Sequence, residues 1–221
     1  MLSAENLAAI RSDGERVLEL GRLDRKRPVP QYPGWLISDL VSHLGGNHAR
    51  TTIICREFPT ERPSAPRPPQ GADIIDWYED NLEEMLIALE ESDRAAAAWG
   101  FWPESTIGLW EKRMVIETGL HRWDADQAFG EPAPLSALVG RIALDEFGDM
   151  WVPRMGEITG VLEVTATDLG ESWSFGSGAG KETASGTASD LYLRLMSRPS
   201  PVELPPQWSA AVDALEPPPK R

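Results

Sequence analysis

The sequence reads ETGLHRWDAD from Glu117 to Asp126, and this stretch places a carboxylate and an imidazole four residues apart. Its flanking apolar residues recur at helical spacing, and residues four apart on an α-helix differ by about 40° in direction. Glu117 and His121 therefore point the same way and could bind one metal ion. More often, such a pair consists of a solvent-exposed glutamate and a core histidine with an ordinary hydrogen bond, and no metal is bound. The stretch alone leaves both interpretations open.

A third ligand is available on another predicted helix. The chain has three histidines, and His43 lies within SDLVSHLGGNHARTTIIC, residues 38–55, which also has helical spacing. An antiparallel bundle would bring this helix opposite that of Glu117. Two imidazoles and a carboxylate suit zinc or a similar divalent ion, and three protein ligands leave a fourth position open. His48 lies about 140° around the helix from His43, which predicts a surface position.

Two aspartates stand where the histidines would need hydrogen-bond acceptors. Asp39 precedes His43 by four residues, and Asp124 follows His121 by three. Each would lie on the face of its histidine and could accept the free imidazole N–H. The alternative is ordinary charge on a helix surface.

Composition limits the class of protein. The 221 residues carry a net charge of −14, which argues against binding to nucleic acid. No apolar run reaches the 18 residues of a membrane span, and the first residues lack the pattern of a secretory signal. The single cysteine, Cys55, excludes an internal disulfide and is predicted to be a buried structural thiol. We expect a cytoplasmic protein.

Apolar periodicity predicts two domains. Residues 1–156 form a helical bundle, with helices over 3–23, 38–55, 74–89, 106–129 and 135–152 and a proline-rich connection over 57–71. Residues 157–221 form a small α+β domain, with a hairpin around Leu169-Gly170, a short helix over 188–198 and a disordered tail over 216–221. Gly45 and Gly46 interrupt the second helix, which predicts close approach by another backbone or a ligand.

Other side chains before the predicted ligand pair have two interpretations. Lys112 and Arg113 could steer an anionic substrate, but a solvated helix surface is the default. Aromatic residues cluster in sequence just before or within the fourth helix, where they would line a pocket or belong to the core. They are Trp99, Phe101, Trp102 and Trp110.

A family resemblance rests on two stretches, PGWLISDLVSHLGG at residues 33–46 and EKRMVIETGLHRWDADQAFG at residues 111–130. The first contains P-G-W and D-L-x-x-H-L-G, and the second contains E-x-x-x-H-R-x-D-A, in the same order. The chain thereby resembles the mycothiol-dependent maleylpyruvate isomerase family, within the DinB/YfiT-like superfamily of metal-binding bundles. The resemblance implies a mainly α fold, with a DinB/YfiT-like four-helix bundle followed by a small α+β C-terminal domain.

The resemblance also implies a site and a chemistry. His43, Glu117 and His121 would be the metal ligands, usually of zinc, and the open position would receive the thiolate of mycothiol, a small thiol of actinobacteria. A divalent ion keeps a thiol deprotonated at neutral pH and so supplies a soft nucleophile. In the family's named reaction this thiolate adds to a cis double bond, and rotation and elimination give the trans product. Relatives transfer the thiol to electrophiles, so isomerase and S-transferase are both implied.

The chain departs from the family pattern in two places. Leu36 replaces the threonine that usually caps the second helix, with Ser38 as an imperfect substitute, so the helix start is expected to shift. Relatives typically have a longer domain of several strands and helices after the bundle, so the region over 157–221 is expected to be an abbreviated form of it. Within it, Arg198 matches a motif arginine that would help bind a carboxylate of the substrate or thiol. Its alternative role is that of a cation at a helix C-terminus.

Three hypotheses follow for the function. The first is a metal-dependent enzyme that uses mycothiol and a small electrophilic substrate, as a monomer or homodimer. The second is a non-catalytic protein that binds a metal or small molecule on the same bundle, which the short C-terminal region favours. The third is a bundle that serves only in interaction, with the three polar residues in its core.

Overall fold

Contacts between residues divide the chain into two units, Met1–Ala133 and Pro134–Pro218. The structure is a computed structural model that describes residues 2–102, 104–130, 132–156 and 158–215. The tail predicted to be disordered, residues 216–221, lies outside this part of the chain.

The first unit contains four long helices. They are α1 (Leu2–Asp24), α2 (Ile37–Glu57), α3 (Ile74–Glu91) and α4 (Ile107–Phe129). α2 packs on α3 and α4, and α1 packs on α3 and α4. Each helix contributes apolar side chains to the common core, among them Ile10, Leu44, Leu82 and Trp110, all fully buried. The four helices predicted for this part of the chain and the mainly α, DinB-like fold are confirmed.

The helix ends follow local hydrogen bonding. The Thr106 hydroxyl accepts from the backbone N–H of Leu109 at the start of α4, and Gly130 ends this helix with φ 89°. α2 begins at Ile37 with Leu36 as its N-cap, two residues earlier than a cap at Ser38 would set, so the predicted shift of the helix start is wrong. The Asp39 carboxylate accepts from the Leu36 N–H at 2.8 Å and so closes the first turn that the missing threonine would have capped.

The two glycines of α2 allow close packing from the α3 side. A Cβ atom on Gly46 would lie 2.9 Å from the backbone oxygen of Pro66, in the proline-rich connection, so the predicted approach of another backbone is confirmed there. At Gly45 the same prediction is wrong, because the neighbour is the indole side chain of Trp77. Cys55, near the end of α2, is buried as predicted. Burial raises the pKa of its thiol to about 11.

The second unit combines helices with a small sheet. Its elements are α5 (Ala137–Met150), a 3₁₀ turn (Val152–Arg154), β1 (Gly160–Ala166), β2 (Glu171–Ser177), β3 (Lys181–Gly186), α6 (Ala188–Leu195) and α7 (Pro206–Asp213). The strand order is β2-β1-β3, with β2 antiparallel and β3 parallel to β1. The predicted hairpin and the helix that starts at residue 188 are confirmed, whereas β3 and α7 were not predicted.

α5 belongs to the second unit by its contacts. It packs against α6 and β2, and the Phe147 ring lies 4.9 Å from that of Phe175 on β2. The division by contacts therefore falls between residues 133 and 134, whereas helical periodicity placed it at residue 156. Among the described residues, no helix combines the length and the apolar character needed to cross a membrane.

Candidate metal centre

Three buried side chains from α2 and α4 converge on one point. His43 Nε2 lies 3.0 Å from Glu117 Oε1, and His121 Nε2 lies 3.4 Å from the same oxygen. Their exposed fractions are 7% for His43, 8% for Glu117 and 3% for His121. The antiparallel arrangement of the two helices thus brings together the three residues that the sequence proposed as ligands.

This donor set fits a divalent ion. One ligand atom from each of the three residues lies within 4.8 Å of the other two, and the described residues contain no other such cluster of three. Nitrogen and oxygen ligands about 2 Å from one zinc ion in a tetrahedral site lie roughly 3.3 Å from one another. The two imidazole nitrogens, at 3.0 Å and 3.4 Å from Glu117 Oε1, are close to that separation. Two imidazoles with one carboxylate are also a frequent protein donor set for zinc.

The environment of Glu117 keeps its carboxyl ionised. Burial by itself would raise the pKa of this group, but the Arg113 guanidinium and hydrogen bonds from His121 and His43 outweigh that effect. The pKa of Glu117 consequently lies well below its usual value. A negatively charged oxygen is therefore in place between the two imidazoles at neutral pH.

The two aspartates that were expected to accept hydrogen bonds from the histidines, Asp124 and Asp39, have different partners. His121 Nδ1 lies 3.0 Å from Asp124 Oδ2, a contact that leaves Nε2 facing Glu117. Burial lowers the pKa of His121, but the bonds to Asp124 and Glu117 more than compensate, so the pKa is raised overall. The Asp39 carboxylate bonds to the backbone of Leu36 at the helix start.

Sequence reasoning missed Asn47 and Arg50 and misjudged Arg113. Asn47 Nδ2 donates to Glu117 Oε1 at 2.7 Å and lies 3.1 Å from His43 Nε2. Arg113 is buried and its Nη2 donates to Glu117 Oε2, so the prediction of a solvated surface position is wrong. The available signal was spacing, because Asn47 follows His43 by four residues and Arg113 precedes Glu117 by four.

The prediction that His48 lies at the surface is also wrong. Its exposed fraction is 0%, because α2 is enclosed by α3 and α4, and a residue turned away from His43 meets another helix instead of water. His48 Nε2 lies 3.1 Å from Thr118 Oγ1 on α4, and its ring lies 5.3 Å from that of Tyr78 on α3. Burial lowers the pKa of His48 to about 3, so this imidazole is neutral.

Two aromatic rings from the segment before α2 border the histidines. The rings of Tyr32 and Trp35 lie 4.7 Å apart. Tyr32 is 5.8 Å from the ring of His121, and Trp35 is 5.4 Å from that of His43. The P-G-W element therefore supplies an apolar border to the site. The one aromatic cluster predicted from the sequence does form, as the rings of Trp99, Phe101 and Trp102 gather around the buried Trp110.

Arg198 lies in the second unit, three residues beyond the end of α6. Its backbone N–H donates to the Leu193 oxygen at 2.8 Å, and its Nη1 donates to the Met196 oxygen at 2.7 Å. Both bonds are to carbonyl oxygens at the C-terminal end of α6. They agree with the alternative role, in which this arginine is a cation at a helix C-terminus. A role in binding a carboxylate stays a prediction.

Comparison with known proteins connects this geometry to a family. The family described as Mycothiol maleylpyruvate isomerase N-terminal domain matches residues 7–126, more than half of the chain and all three candidate ligands. The chain belongs to this family. The mycothiol maleylpyruvate isomerase family is a family of enzymes. No curated protein matches the chain.

Two solved structures have the same fold as this member of the mycothiol maleylpyruvate isomerase family. A crystal structure of the mycothiol-dependent maleylpyruvate isomerase matches with a TM-score of 0.72 and 14% identity, over 92% of this chain and 95% of that chain. A histidine-to-alanine mutant of the mycothiol-dependent maleylpyruvate isomerase matches with a TM-score of 0.67 and 12% identity, over 87% of this chain and 88% of that chain. At these identities the likeness concerns the fold. Because the first match covers 95% of that chain, the expectation that residues 157–221 are abbreviated is wrong with respect to that structure.

Proposed function

We propose that the chain is a metal-dependent enzyme that activates mycothiol as a thiolate, for maleylpyruvate-type cis–trans isomerisation or for S-transfer to a small electrophile. The observation that carries the proposal is the buried convergence of His43, Glu117 and His121 in a chain of this family. Membership supports mycothiol as the thiol, and the donor set supports zinc as the ion. An actinobacterial source and a cytoplasmic location agree with the use of this thiol.

Each residue of the site has a separate task in this proposal. His43, Glu117 and His121 would hold the ion, which when bound would lower the pKa of a thiol so that the thiolate prevails at neutral pH. Arg113 keeps Glu117 ionised, and Asp124 fixes the orientation of the His121 ring.

The surroundings of the ligands support a reactive centre. An ion held by these three protein ligands would keep a fourth position for the sulfur of the thiol. The rings of Tyr32 and Trp35 reduce the access of water to the histidines. Arg198 is proposed to bind a carboxylate of the substrate or thiol. The working form is proposed to be a monomer or homodimer, without a nucleic-acid partner.

Metal content and thiol-dependent turnover test this function. Elemental analysis of the untagged protein is expected to give about one divalent ion per chain. Turnover of maleylpyruvate or of a small epoxide is expected only with mycothiol. Glu117→Gln and His121→Ala should lose both the ion and turnover, because each removes one of three ligands.

Glu111→Gln is the matched control for Glu117→Gln. Glu111 is a buried glutamate of α4 that pairs with Arg94 and Asn6 and is not one of the three candidate ligands. This variant should keep its metal. A wild-type protein without a stoichiometric ion would contradict the proposal. An ion without turnover of any thiol and electrophile would favour the non-catalytic binding protein.

A further inference from the structure

The two oxygens of the Glu117 carboxylate have different partners. Arg113 Nη2 donates to Oε2. Oε1 accepts from Asn47 Nδ2 and is the oxygen near both imidazole Nε2 atoms. The carboxylate is therefore held at both ends, and a single oxygen remains directed at the point where the three ligands meet.

Arg50 determines which end of the Asn47 amide faces Glu117. Arg50 Nη2 lies 2.9 Å from Asn47 Oδ1, and a guanidinium can only donate hydrogen bonds. An ionised carboxylate can only accept them. The amide oxygen must therefore face Arg50 and the amide nitrogen must face Glu117, so the chemistry of the two partners fixes the orientation. Asn47 and Arg50 are both buried, with exposed fractions of 4% and 6%.

We propose that Asn47, oriented by Arg50, is a positioning residue that holds Glu117 so that Oε1 alone is offered to the metal. This inference rests on the proposed function, since it concerns the same ion. Held in this way, the carboxylate would bind an ion through one oxygen and would leave a position for the thiol. Without the amide, the carboxylate would lose one of the two contacts that fix its rotation.

The same bundle contains a comparable trio without histidines. Asn6 Nδ2 donates to Glu111 Oε1 at 2.5 Å, and Arg94 Nη2 lies 2.9 Å from that oxygen. Asn6 and Glu111 are buried as well. Two buried glutamates of α4 thus each accept from an asparagine and pair with an arginine, and within the described part of the chain the cluster with two imidazoles is the one at Glu117. Asn6→Leu is accordingly a matched control for Asn47→Leu.

The experiment measures metal affinity in the full-length protein. Zinc dissociation constants of wild type, Asn47→Leu and Asn6→Leu are obtained by competition with a chelator. Loss of a residue that orients a metal ligand typically weakens affinity about 10- to 100-fold, which is the effect expected for Asn47→Leu. Asn6→Leu should keep the wild-type affinity, while thermal unfolding of both metal-free variants reports any common loss of stability.

A spectroscopic measurement separates positioning from general destabilisation. The visible absorption bands of the Co²⁺ form depend on the ligand arrangement, so they should change in Asn47→Leu and stay unchanged in Asn6→Leu. If Arg50 acts through Asn47, Arg50→Gln weakens zinc binding too, and the double variant with Asn47→Leu is no weaker than Asn47→Leu alone. Arg50→Gln also decides the question if Asn47→Leu does not fold.

The outcomes distinguish this inference from the proposed function. A wild-type protein that binds no divalent ion overturns both. A wild-type protein that binds zinc, together with variants at Asn47 and Arg50 that keep its affinity and its Co²⁺ spectrum, overturns the positioning role alone.

Discussion

Two adjacent residues of α4 meet two different histidines of α2. Glu117 lies beside His43, and Thr118 lies beside His48. The first contact belongs to a charged cluster that fits a metal ion. The second is a neutral hydrogen bond in the core, where burial lowers the pKa of His48 to about 3. Residues of the same type, five positions apart, therefore differ in chemistry because of what the opposite helix presents.

Stability should depend on pH through His48. The unfolded chain binds a proton on this residue near its ordinary pKa of 6.5, whereas the folded protein does so only near 3. The contribution of His48 to stability is thus complete above pH 6.5 and is lost as the pH falls toward 3, at roughly 1 kcal/mol per pH unit. Urea unfolding of metal-free wild type and His48→Gln between pH 7.5 and 5 should show a smaller pH dependence in the variant. Parallel curves would contradict a neutral buried histidine.

At the scale of the element, periodicity predicted the long helices and missed the weakly patterned segments. Apolar residues at helical spacing identified α1 to α4 because each buries a face against its neighbours. β3 was missed because its sequence, KETASG, buries only Ala184 and has no apolar alternation. α7 has eight residues and buries two of them, Trp208 and Val212.

Part of the site was accessible from the sequence for a similar reason. The spacing of Glu117 and His121 on one helix is a local property and was predicted directly. The pairing with His43 needed an assumed antiparallel bundle. Asn47, Arg113 and the burial of His48 depend on which faces of α2 and α4 are enclosed, and these helices are buried on nearly all sides where they meet. The sequence pattern in these helices therefore does not distinguish a buried polar residue from a solvent-exposed one.

The packing around two helical glycines, one in α2 and one in α5, predicts opposite effects of substitution by alanine. A Cβ atom at Gly46 would lie 2.9 Å from the backbone oxygen of Pro66, and one at Gly148 in α5 would lie 3.4 Å from the Phe175 ring. Alanine gains up to about 1 kcal/mol of helix propensity at each site, but overpacking costs about 1–3 kcal/mol. We expect Gly46→Ala to lower and Gly148→Ala to raise the free energy of unfolding, measured with urea. Stabilisation by Gly46→Ala would contradict the close approach.

At the scale of the whole molecule, the candidate ligands all belong to the first unit. His43 comes from α2, and Glu117 and His121 come from α4, so an ion would connect two helices that are separated in sequence by α3. The second unit, residues 134–218, has its own core around its three-stranded sheet and contains Arg198. Metal binding is therefore expected to act on the two units unequally.

Zinc should stabilise the first unit. A ligand that binds only the folded state at 100 times its dissociation constant adds about 2.7 kcal/mol of stability. Amide hydrogen exchange should accordingly slow in α2 and α4 when zinc is added, with little change in β1 to β3. His121→Ala is the control, and its exchange should not respond to zinc. Equal protection of both units, or protection that persists in the variant, would contradict a site made of these three residues.

The buried thiol of Cys55 has a practical consequence for the study of this chemistry. It is the single cysteine of the chain, it lies inside the first unit, and its pKa of about 11 leaves almost no thiolate at neutral pH. A maleimide or a disulfide reagent added to a mixture of protein and mycothiol will therefore react with the small thiol first. The consumption of free mycothiol can be followed by alkylation and mass measurement, with little background labelling of the protein.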